Sequence, residues 1–346
     1  MTRPKIPQKI PKDLSISVPE EMSNWEKEAR QRRVWGTSIH KQAGLRSGSE
    51  ITFRQYLQLR VLWSKRQGIH KARDDLELGQ FHIEATNWLA HFRPFQNFLN
   101  CLVNGINGDL DLGQFKYPLV LQLHTKSLAQ VKAYRNDVRS PNEEVVNVSL
   151  LTFLFAICAE HPALASMMGW TPQRVRLAAK FKKGTMKCHP DGLLVSDLTR
   201  QIELLVETKV GSRKKHGAPV FWQEAAELVC ALSMSSPKGM HPSRAIVVSQ
   251  DDQELYLAKA FASDEYIGFL SGVGVPEDEG KPKSENDFLR IKQWRPWRLT
   301  SREEVKQFAG LLLALILKAR AAEEAARDAQ EAESTGETEE VFLNER

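Results

Sequence analysis

The apolar positions of the chain follow a helical spacing in its first third. Apolar side chains recur three and four residues apart in ITFRQYLQLRVLWSKRQ at residues 51–67 and in FHIEATNWLAHFRPFQNFLNCLVNGI at residues 81–106, which is the pattern of amphipathic helices. The segment NGINGDLDLGQ at residues 104–114 is rich in turn-forming residues and indicates a boundary. We therefore predict a helical N-terminal region over residues 21–113.

The pattern changes after residue 113, where short alternating runs are interleaved with longer apolar ones. Alternation of apolar and polar side chains predicts strands. Such segments lie at residues 174–187, 191–197, 201–210, 244–250, 254–262 and 288–294. The first of them contains a hairpin tip at residues 183–184. Longer apolar segments predict helices at residues 140–159, at residues 220–234 and after the capping signal at Thr300. We predict an α/β or α+β domain over residues 114–320, with a central mixed sheet flanked by helices.

Charge is distributed unevenly along the chain. The formal net charge is +5, but residues 321–346 hold nine acidic residues and two arginines, a net of −7, so residues 1–320 carry +12. A basic body is compatible with a polyanionic partner, for which an acidic tail would compete. A solvated basic surface beside a disordered tail fits the same charges. We predict disorder in the acidic tail and in the Pro- and Lys-rich segment at residues 1–20.

The composition excludes several classes of protein. Hydrophobic residues make up 42% of the chain and charged residues 26%, which is the balance of a soluble globular protein. The first residues lack the apolar core of a secretory signal, and the longest apolar run, at residues 308–317, is about half of what a membrane span needs. The four cysteines have the spacing of neither a disulfide framework nor a zinc site. No Walker A loop, GxGxxG motif or nucleophile elbow occurs. We expect an intracellular protein, in the nucleus or the cytoplasm.

Charged side chains interrupt one of the predicted strands, ELLVETKV at residues 203–210. In an extended strand Glu203, Glu207 and Lys209 lie on one face, with neighbouring side chains about 7 Å apart. Asp191 begins the preceding strand and can approach the same point across the hairpin. Two carboxylates that meet at a strand pair form a hard oxygen site, which suits Mg²⁺ or Mn²⁺, and a lysine beside it can orient a metal-bound water. An ordinary ion pair on a half-solvated sheet would use the same residues.

Four short motifs, in this order, resemble those of the PD-(D/E)XK nuclease superfamily. They are NEE at residues 142–144, PD at residues 190–191, ETK at residues 207–209 and WQEAAE at residues 222–227. The resemblance covers about residues 138–320. Within the superfamily, the arrangement of these motifs is similar to that in a mostly uncharacterised fungal branch. It implies a restriction-endonuclease-like core, in which a helix precedes a three-stranded meander and a second helix crosses over to a further strand.

The resemblance also implies roles for individual acidic and basic residues. Asp191 and Glu207 would be ligands of Mg²⁺ or Mn²⁺, and Lys209 would assist the attacking water. An acid at the start of the preceding helix would complete the site. We expect it to be Glu143, because Glu143 and Asn147 lie one helical turn apart and so share a face, and Glu144 is the alternative.

The remaining expected contacts are with nucleic acid, DNA more than RNA. The resemblance places Gln223 near the scissile phosphate, although Glu227 stands where the superfamily often has a tyrosine. Arg213, Lys214 and Lys215 form a basic loop after the predicted lysine strand, which would hold the phosphate backbone or would simply be solvated. The expected function is a metal-dependent nuclease. The alternative is an inactive nuclease-fold module that binds nucleic acid or protein.

Overall fold

The computed structural model of the chain describes residues 17–134, 143–164, 168–234, 239–272 and 281–343. Within these residues the α-helices are α1 (Met22–Gln31), α2 (Phe53–Gln58), α3 (Ala72–Asp75), α4 (Gly79–His91), α5 (Arg93–Asn104), α6 (Lys116–Tyr134), α7 (Glu143–Ala159), α8 (Arg213–His216), α9 (Ala218–Ser233), α10 (Asp264–Ser271) and α11 (Arg302–Leu343). The strands are β1 (Val61–Trp63), β2 (Met168–Thr171), β3 (Leu177–Phe181), β4 (Gly184–Cys188), β5 (Gly192–Ser196), β6 (Ile202–Lys209), β7 (Ile246–Asp251), β8 (Glu254–Phe261), β9 (Leu289–Gln293) and β10 (Trp297–Arg298).

A central mixed sheet separates two hydrophobic cores. Its strand order is β1-β9-β8-β7-β6-β5-β2, with β10 also paired to β8. The pairs β6–β7 and β1–β9 are parallel, and the other pairs are antiparallel. Helices α4, α5, α6, α7 and α11 contribute to one core, and α1, α2, α9, α10 and the β3–β4 hairpin contribute to the other. The prediction of a mixed α/β fold with a central sheet flanked by helices is therefore confirmed.

The centre of the sheet is formed by strands that are buried on both faces. Strand β6 places Leu204 and Val206 in the core that contains α7, and Leu205 in the core that contains α9. Strands covered on both faces have nearly continuous apolar sequences, so a charged residue near the end of β6 stands out. Helix α9 is the crossover between the parallel strands β6 and β7, since such strands need a long connection. This crossover brings α9 against the charged end of β6.

The arrangement of the strands differs from the sequence predictions in several places. The β3–β4 hairpin forms a two-stranded sheet of its own, so the prediction that this hairpin belongs to the meander of the central sheet is wrong. Strand β5 pairs with β6, as predicted, and on its other side with β2, a strand that the sequence pattern did not predict. Strand β1 lies in a segment predicted to be helical, and it pairs with β9, more than two hundred residues away. Periodicity cannot distinguish a short strand buried on every side from a helical segment.

The described residues near the two ends of the chain, 17–20 and 321–343, have defined structure where the sequence predicted disorder. The acidic segment after residue 320 is helical as far as the structure describes it, because α11 spans Arg302–Leu343. Its abundant Ala and Glu residues are strong helix formers, and Glu323 at its start is buried. At the other end, residues 1–16 lie outside the described residues, but the Pro19 carbonyl accepts a hydrogen bond from the Trp63 amide at 2.9 Å. None of the helices within the described residues is both long enough and apolar enough to cross a membrane.

Candidate metal centre

Three acidic side chains from separate segments meet at one end of the central sheet. Asp191 immediately precedes β5, Glu207 lies near the end of β6, and Glu143 is the first residue of α7. The two strands are antiparallel, with Gly192 opposite Val206, so the start of one lies beside the end of the other. One carboxylate oxygen from each acid lies within 4.8 Å of the other two. The structure thus brings together the acidic residues that the sequence assigned to one site.

Asp191 is fixed through both of its carboxylate oxygens. Oδ2 accepts hydrogen bonds from the amide (3.0 Å) and the hydroxyl (2.7 Å) of Thr208, and Oδ1 accepts one from Nη2 of Arg174 at 3.1 Å. Asn147 on α7 donates through Nδ2 to the Asp191 backbone carbonyl at 3.2 Å. Because Asn147 lies one helical turn after Glu143, this bond also directs Glu143 toward the site.

The amine of Lys209 lies between two of the carboxylates. Its Nζ donates to Glu207 Oε1, to Glu143 Oε1 at 3.1 Å and to the Thr208 carbonyl at 3.1 Å. Three donated bonds use all three N–H groups of an ammonium. Burial lowers the pKa of Lys209, but the charges of Glu207 and Glu143 outweigh burial, and the pKa is raised overall. Lys209 is therefore a cation at neutral pH, and it acts as a charge and a hydrogen-bond donor rather than as a base.

Glu207 occupies the least solvated position of the site, with only 1% of its surface exposed. Its Oε1 accepts a hydrogen bond from Nε2 of Gln223 on α9 at 2.6 Å, and its Oε2 has no hydrogen-bond partner among the described residues. Gln223 also donates to Oε1 of Glu227 at 3.0 Å. Burial, and after it the charge of Glu227, raises the pKa of Glu207 well above its ordinary value. Burial, and after it the Cys188 thiol, raises the pKa of Glu227 to about 8. Two buried acids thus share one amide donor.

The donor set suits a hard divalent cation. The four acidic side chains of the site face two cationic ones, Lys209 and Arg174. A buried carboxylate oxygen without a partner, such as Oε2 of Glu207, destabilises the fold unless a cation or donor approaches it. Carboxylate oxygens are the ligands preferred by Mg²⁺ and Mn²⁺. The residues present therefore fit a Mg²⁺ or Mn²⁺ ion bound by Glu143, Asp191 and Glu207.

The predicted basic loop consists of one buried arginine and two exposed lysines. The Arg213 side chain is only 3% exposed. Its Nε donates to Asp251 Oδ2 at 2.6 Å, and its Nη1 donates to Glu224 Oε2 at 3.1 Å. The predicted contact of Arg213 with nucleic acid is therefore wrong, because both buried carboxylates already hold its guanidinium group. Lys214 and Lys215 lie on the same helical turn and are exposed.

Strand alternation fails at Glu203, which the sequence placed on the same face as Glu207. The register between β5 and β6 shifts after Leu194 and leaves Glu203 as an extra residue, and such a β-bulge changes the face on which the side chain lies. Glu203 pairs with Arg244 at 3.1 Å, and Arg244 also lies 3.8 Å from Glu323 of α11. Glu203 thus belongs to a separate buried ion cluster and not to the candidate metal centre.

Some of the described residues contact side chains of the site although no role in it was predicted for them, among them Glu227, Thr208 and Arg174. Glu227 follows Gln223 by four residues on a helix, so the two share a face, and this spacing was a usable signal. Thr208 binds Asp191 at the end of the strand pair, a contact that the alternation of side chains along β6 does not by itself indicate. Arg174 reaches Asp191 from an irregular segment before β3, and no local pattern indicates that contact.

Comparisons with known proteins identify no relative of the chain. No protein-family model matches it, and searches of curated proteins and of solved structures found no match. The function is therefore inferred from the side chains and their geometry.

Proposed function

We propose that the protein is a nuclease that uses Mg²⁺ or Mn²⁺ to hydrolyse phosphodiester bonds of nucleic acid, DNA rather than RNA, in the nucleus or the cytoplasm. The observation that carries the proposal is the convergence of Glu143, Asp191 and Glu207 on one point beside the ammonium group of Lys209. These acids come from three separate segments of the chain, so their meeting is a property of the fold. Acidic ligands with an adjacent lysine are also what the resemblance to the PD-(D/E)XK superfamily implies.

Each side chain has a defined task in such a reaction. The cation would supply positive charge to the phosphate and lower the pKa of a bound water. Lys209 holds Glu143 and Glu207 in place and offers a positive charge to the phosphoryl oxygens as negative charge grows on them. Gln223 orients Glu207 through Oε1. In the hydrolysis, the water oxygen bonds to phosphorus, the ester P–O bond breaks, the water loses one proton to solvent, and the leaving oxygen takes up one.

The proposal is tested with the full-length protein and labelled duplex DNA, single-stranded DNA and RNA, each with Mg²⁺, Mn²⁺ or EDTA. We expect cleavage with a divalent cation and none in EDTA. The Glu207→Gln variant keeps the shape of the side chain but removes its charge. It should lower the cleavage rate by at least about a hundredfold, the effect of losing one charge-stabilising group in an active site. Cleavage by this variant at the wild-type rate would contradict the proposal.

Glu143 and Glu144 provide a matched pair for a finer test, because both are exposed and adjacent at the start of α7. Glu143 is the member of the pair that reaches the other carboxylates. Glu143→Gln should therefore weaken both cleavage and metal binding, and Glu144→Gln should leave both close to the wild type. Independently of activity, Mn²⁺ should raise the melting temperature of Glu144→Gln more than that of Glu143→Gln. Equal behaviour of the two variants would exclude Glu143 as a ligand.

A second candidate function is a nuclease-fold module that binds nucleic acid or protein without cleaving it. The existing ion pairs favour this alternative, since Lys209 pairs with Glu207 and Glu143, and Arg174 pairs with Asp191. A cluster paired in this way does not require an ion. For this alternative we expect no shift of the melting temperature with Mn²⁺ and no cleavage of any substrate, together with salt-dependent binding.

A further inference from the structure

Several stretches of the chain contain basic residues and no acidic ones, and two of these stretches lie next to each other in the fold. Residues 37–49 and residues 172–190 lack Asp and Glu altogether, whereas 32 residues of average composition in this chain would hold about four acids. The longer segment includes the β3–β4 hairpin. Its exposed cations, named the basic hairpin from here on, are Arg174, Arg176, Lys180, Lys182, Lys183 and Lys187. The composition is therefore strongly biased toward positive charge in one part of the surface.

The two faces of this hairpin have opposite characters. The inward face is apolar and lies in the core that includes α9; it consists of Leu177, Ala179, Phe181, Met186 and Cys188. The outward face is basic. In the register of the two strands, Lys180 is opposite Thr185 and Lys187 is opposite Ala178. Because paired strands lie about 4.8 Å apart, the outward cations form one compact surface that is held rigidly by the core beneath it.

The basic hairpin is not neutralised within the part of the chain that the structure describes. Among those residues, Asp191 is the carboxylate that lies within ion-pair distance of it, and the pair is formed with Arg174 at 3.1 Å. The Arg174 side chain is 58% exposed, so its guanidinium group connects the basic surface directly to the candidate metal centre. A cluster of like charges repels itself in the folded state and attracts anions.

The size of this surface matches several consecutive phosphate groups. Between Arg176 and Lys182 an extended chain rises by about 20 Å, which corresponds to about six base pairs along a duplex. Lys41 and Arg46, in the other segment without acids, are also exposed. That segment is next to the hairpin tip, whose backbone donates a hydrogen bond to the His40 carbonyl at 3.1 Å. The cations of the two segments thus lie in neighbouring parts of the fold, and Arg174 is the one that reaches the metal centre.

We propose that the basic hairpin is the docking surface for the phosphate backbone of double-stranded DNA, which it holds independently of base sequence and directs to the candidate metal centre. The choice of partner rests on the proposed nuclease function. Lysine and arginine side chains supply affinity for phosphates without reading the bases. Proteins that hold single strands stack the bases on aromatic side chains, and no exposed position of the basic hairpin is aromatic. Duplex RNA is recognised partly through its 2′-hydroxyl groups, for which the outward face of the two strands offers only Thr185 as a neutral polar partner.

The test measures binding in EDTA, so that neither metal binding nor cleavage contributes. Fluorescence anisotropy is recorded for a short duplex DNA, its single strand and a duplex RNA of the same sequence, over a range of KCl concentrations. The test variant combines Arg176→Gln, Lys180→Gln and Lys187→Gln. The slope of log affinity against log salt changes by about 0.9 per phosphate contact on duplex DNA. We therefore expect the slope to become less steep by about 2 to 3, and the affinity near 0.1 M salt to fall by about a hundredfold or more.

A matched control removes the same charges elsewhere on the surface. It combines Arg93→Gln, Lys71→Gln and Lys116→Gln, which are exposed and adjoin the core on the opposite side of the sheet. The control should bind duplex DNA with nearly the wild-type affinity and salt slope. Circular dichroism and melting temperature establish that both triple variants are folded, as expected for substitutions at exposed positions.

Each outcome decides between the possibilities. Equal binding by the test and control variants, or no binding of duplex DNA by the wild-type protein, would overturn the docking surface. Tighter binding of single-stranded DNA or duplex RNA than of duplex DNA would overturn the choice of partner. Failure of the nuclease proposal looks different: duplex DNA would still bind in EDTA and lose affinity in the test variant, but no divalent cation would lead to cleavage. Conversely, cleavage lost in Glu207→Gln with unchanged binding would separate the catalytic site from the docking surface.

Discussion

Replacement of Arg213 should destabilise the fold instead of weakening nucleic-acid binding. The side chain is 3% exposed, and the carboxylates of Glu224 and Asp251 that hold it are both 0% exposed. Its guanidinium group also lies 4.0 Å from the centroid of the Tyr256 ring. An Arg213→Met substitution keeps a long side chain in the same space but removes the charge. It therefore leaves two buried carboxylates without their counter-ion.

The size of the effect follows from this burial. Breaking a buried ion pair by removing one partner raises the free energy of the folded state by about 3–5 kcal/mol. Loss of the cation–π contact with Tyr256 adds about 1 kcal/mol. Together these are a large part of the typical free energy of unfolding, about 5–15 kcal/mol. Lys214→Met on the same helical turn affects an exposed side chain and should change stability by no more than about 0.5 kcal/mol.

Urea denaturation followed by circular dichroism measures the difference between the two variants. The double variant Arg213→Met/Glu224→Gln should lose less stability than the two single variants added together, because removing the second charge relieves part of the first defect. The reasoning would be refuted if Arg213→Met were as stable as Lys214→Met. It would be refuted more strongly if Arg213→Met kept its stability but bound DNA less tightly, since that result would make Arg213 a surface contact.

Two further substitutions test the buried charges and the packing beside the metal centre. Burial outweighs the charge of Arg244 and raises the pKa of Glu203 from an ordinary value of 4.5 to about 7. The wild type therefore loses stability as the pH rises through this interval. Because Glu203→Gln does not titrate, its stability relative to the wild type should increase by about 2 to 3 kcal/mol between about pH 5 and about pH 8. Urea denaturation at both pH values checks this, and a pH-independent difference would contradict it. Gly192→Ala would place its Cβ 2.6 Å from Leu151 Cδ2 of α7, which should lower stability by about 1–3 kcal/mol and weaken Mn²⁺ binding, because Asp191 is the neighbouring residue. Thermal unfolding with and without Mn²⁺ measures both effects, and wild-type values would show that the Leu151 side chain moves aside without disturbing the site.

The part of the site that the sequence indicated is the part formed by local structure. Glu207 and Lys209 lie on β6, and Asp191 immediately precedes β5, which is the strand before β6 in the chain and is paired with it in the sheet. A period of two residues and a short connection are enough to place such side chains near one another. Glu143 was expected from its place on the preceding helix and from the resemblance, and the Asn147 contact one turn later explains why it, and not the next residue, reaches the site.

The errors arose where long-range packing decides the outcome. Arg213 has the same charge as its exposed neighbours, and only the tertiary structure places Glu224 and Asp251 around it. The bulge at Glu203 depends on how β5 pairs with β6, which alternation within one strand does not report. Strand β1 exists because β9 offers it an edge. Charge burial, strand register and edge pairing are all properties of the assembled sheet, so a single sequence carries little information about them.

The burial of Glu207 also bears on the ordinary ion pair that was the alternative explanation of the Glu207–Lys209 spacing. An exposed ion pair contributes about 0–1 kcal/mol and requires no burial. Here Glu207 is almost completely buried, one of its oxygens has no hydrogen-bond partner among the described residues, and a second buried acid, Glu227, shares its only amide donor. The repulsion between these two buried acids destabilises the folded state by itself. An apolar residue in place of Glu227 would remove this repulsion. Strongly perturbed acids of this kind cluster at functional sites. A bound cation would offset the repulsion, so the proposed metal centre accounts for the buried acids and an isolated ion pair does not.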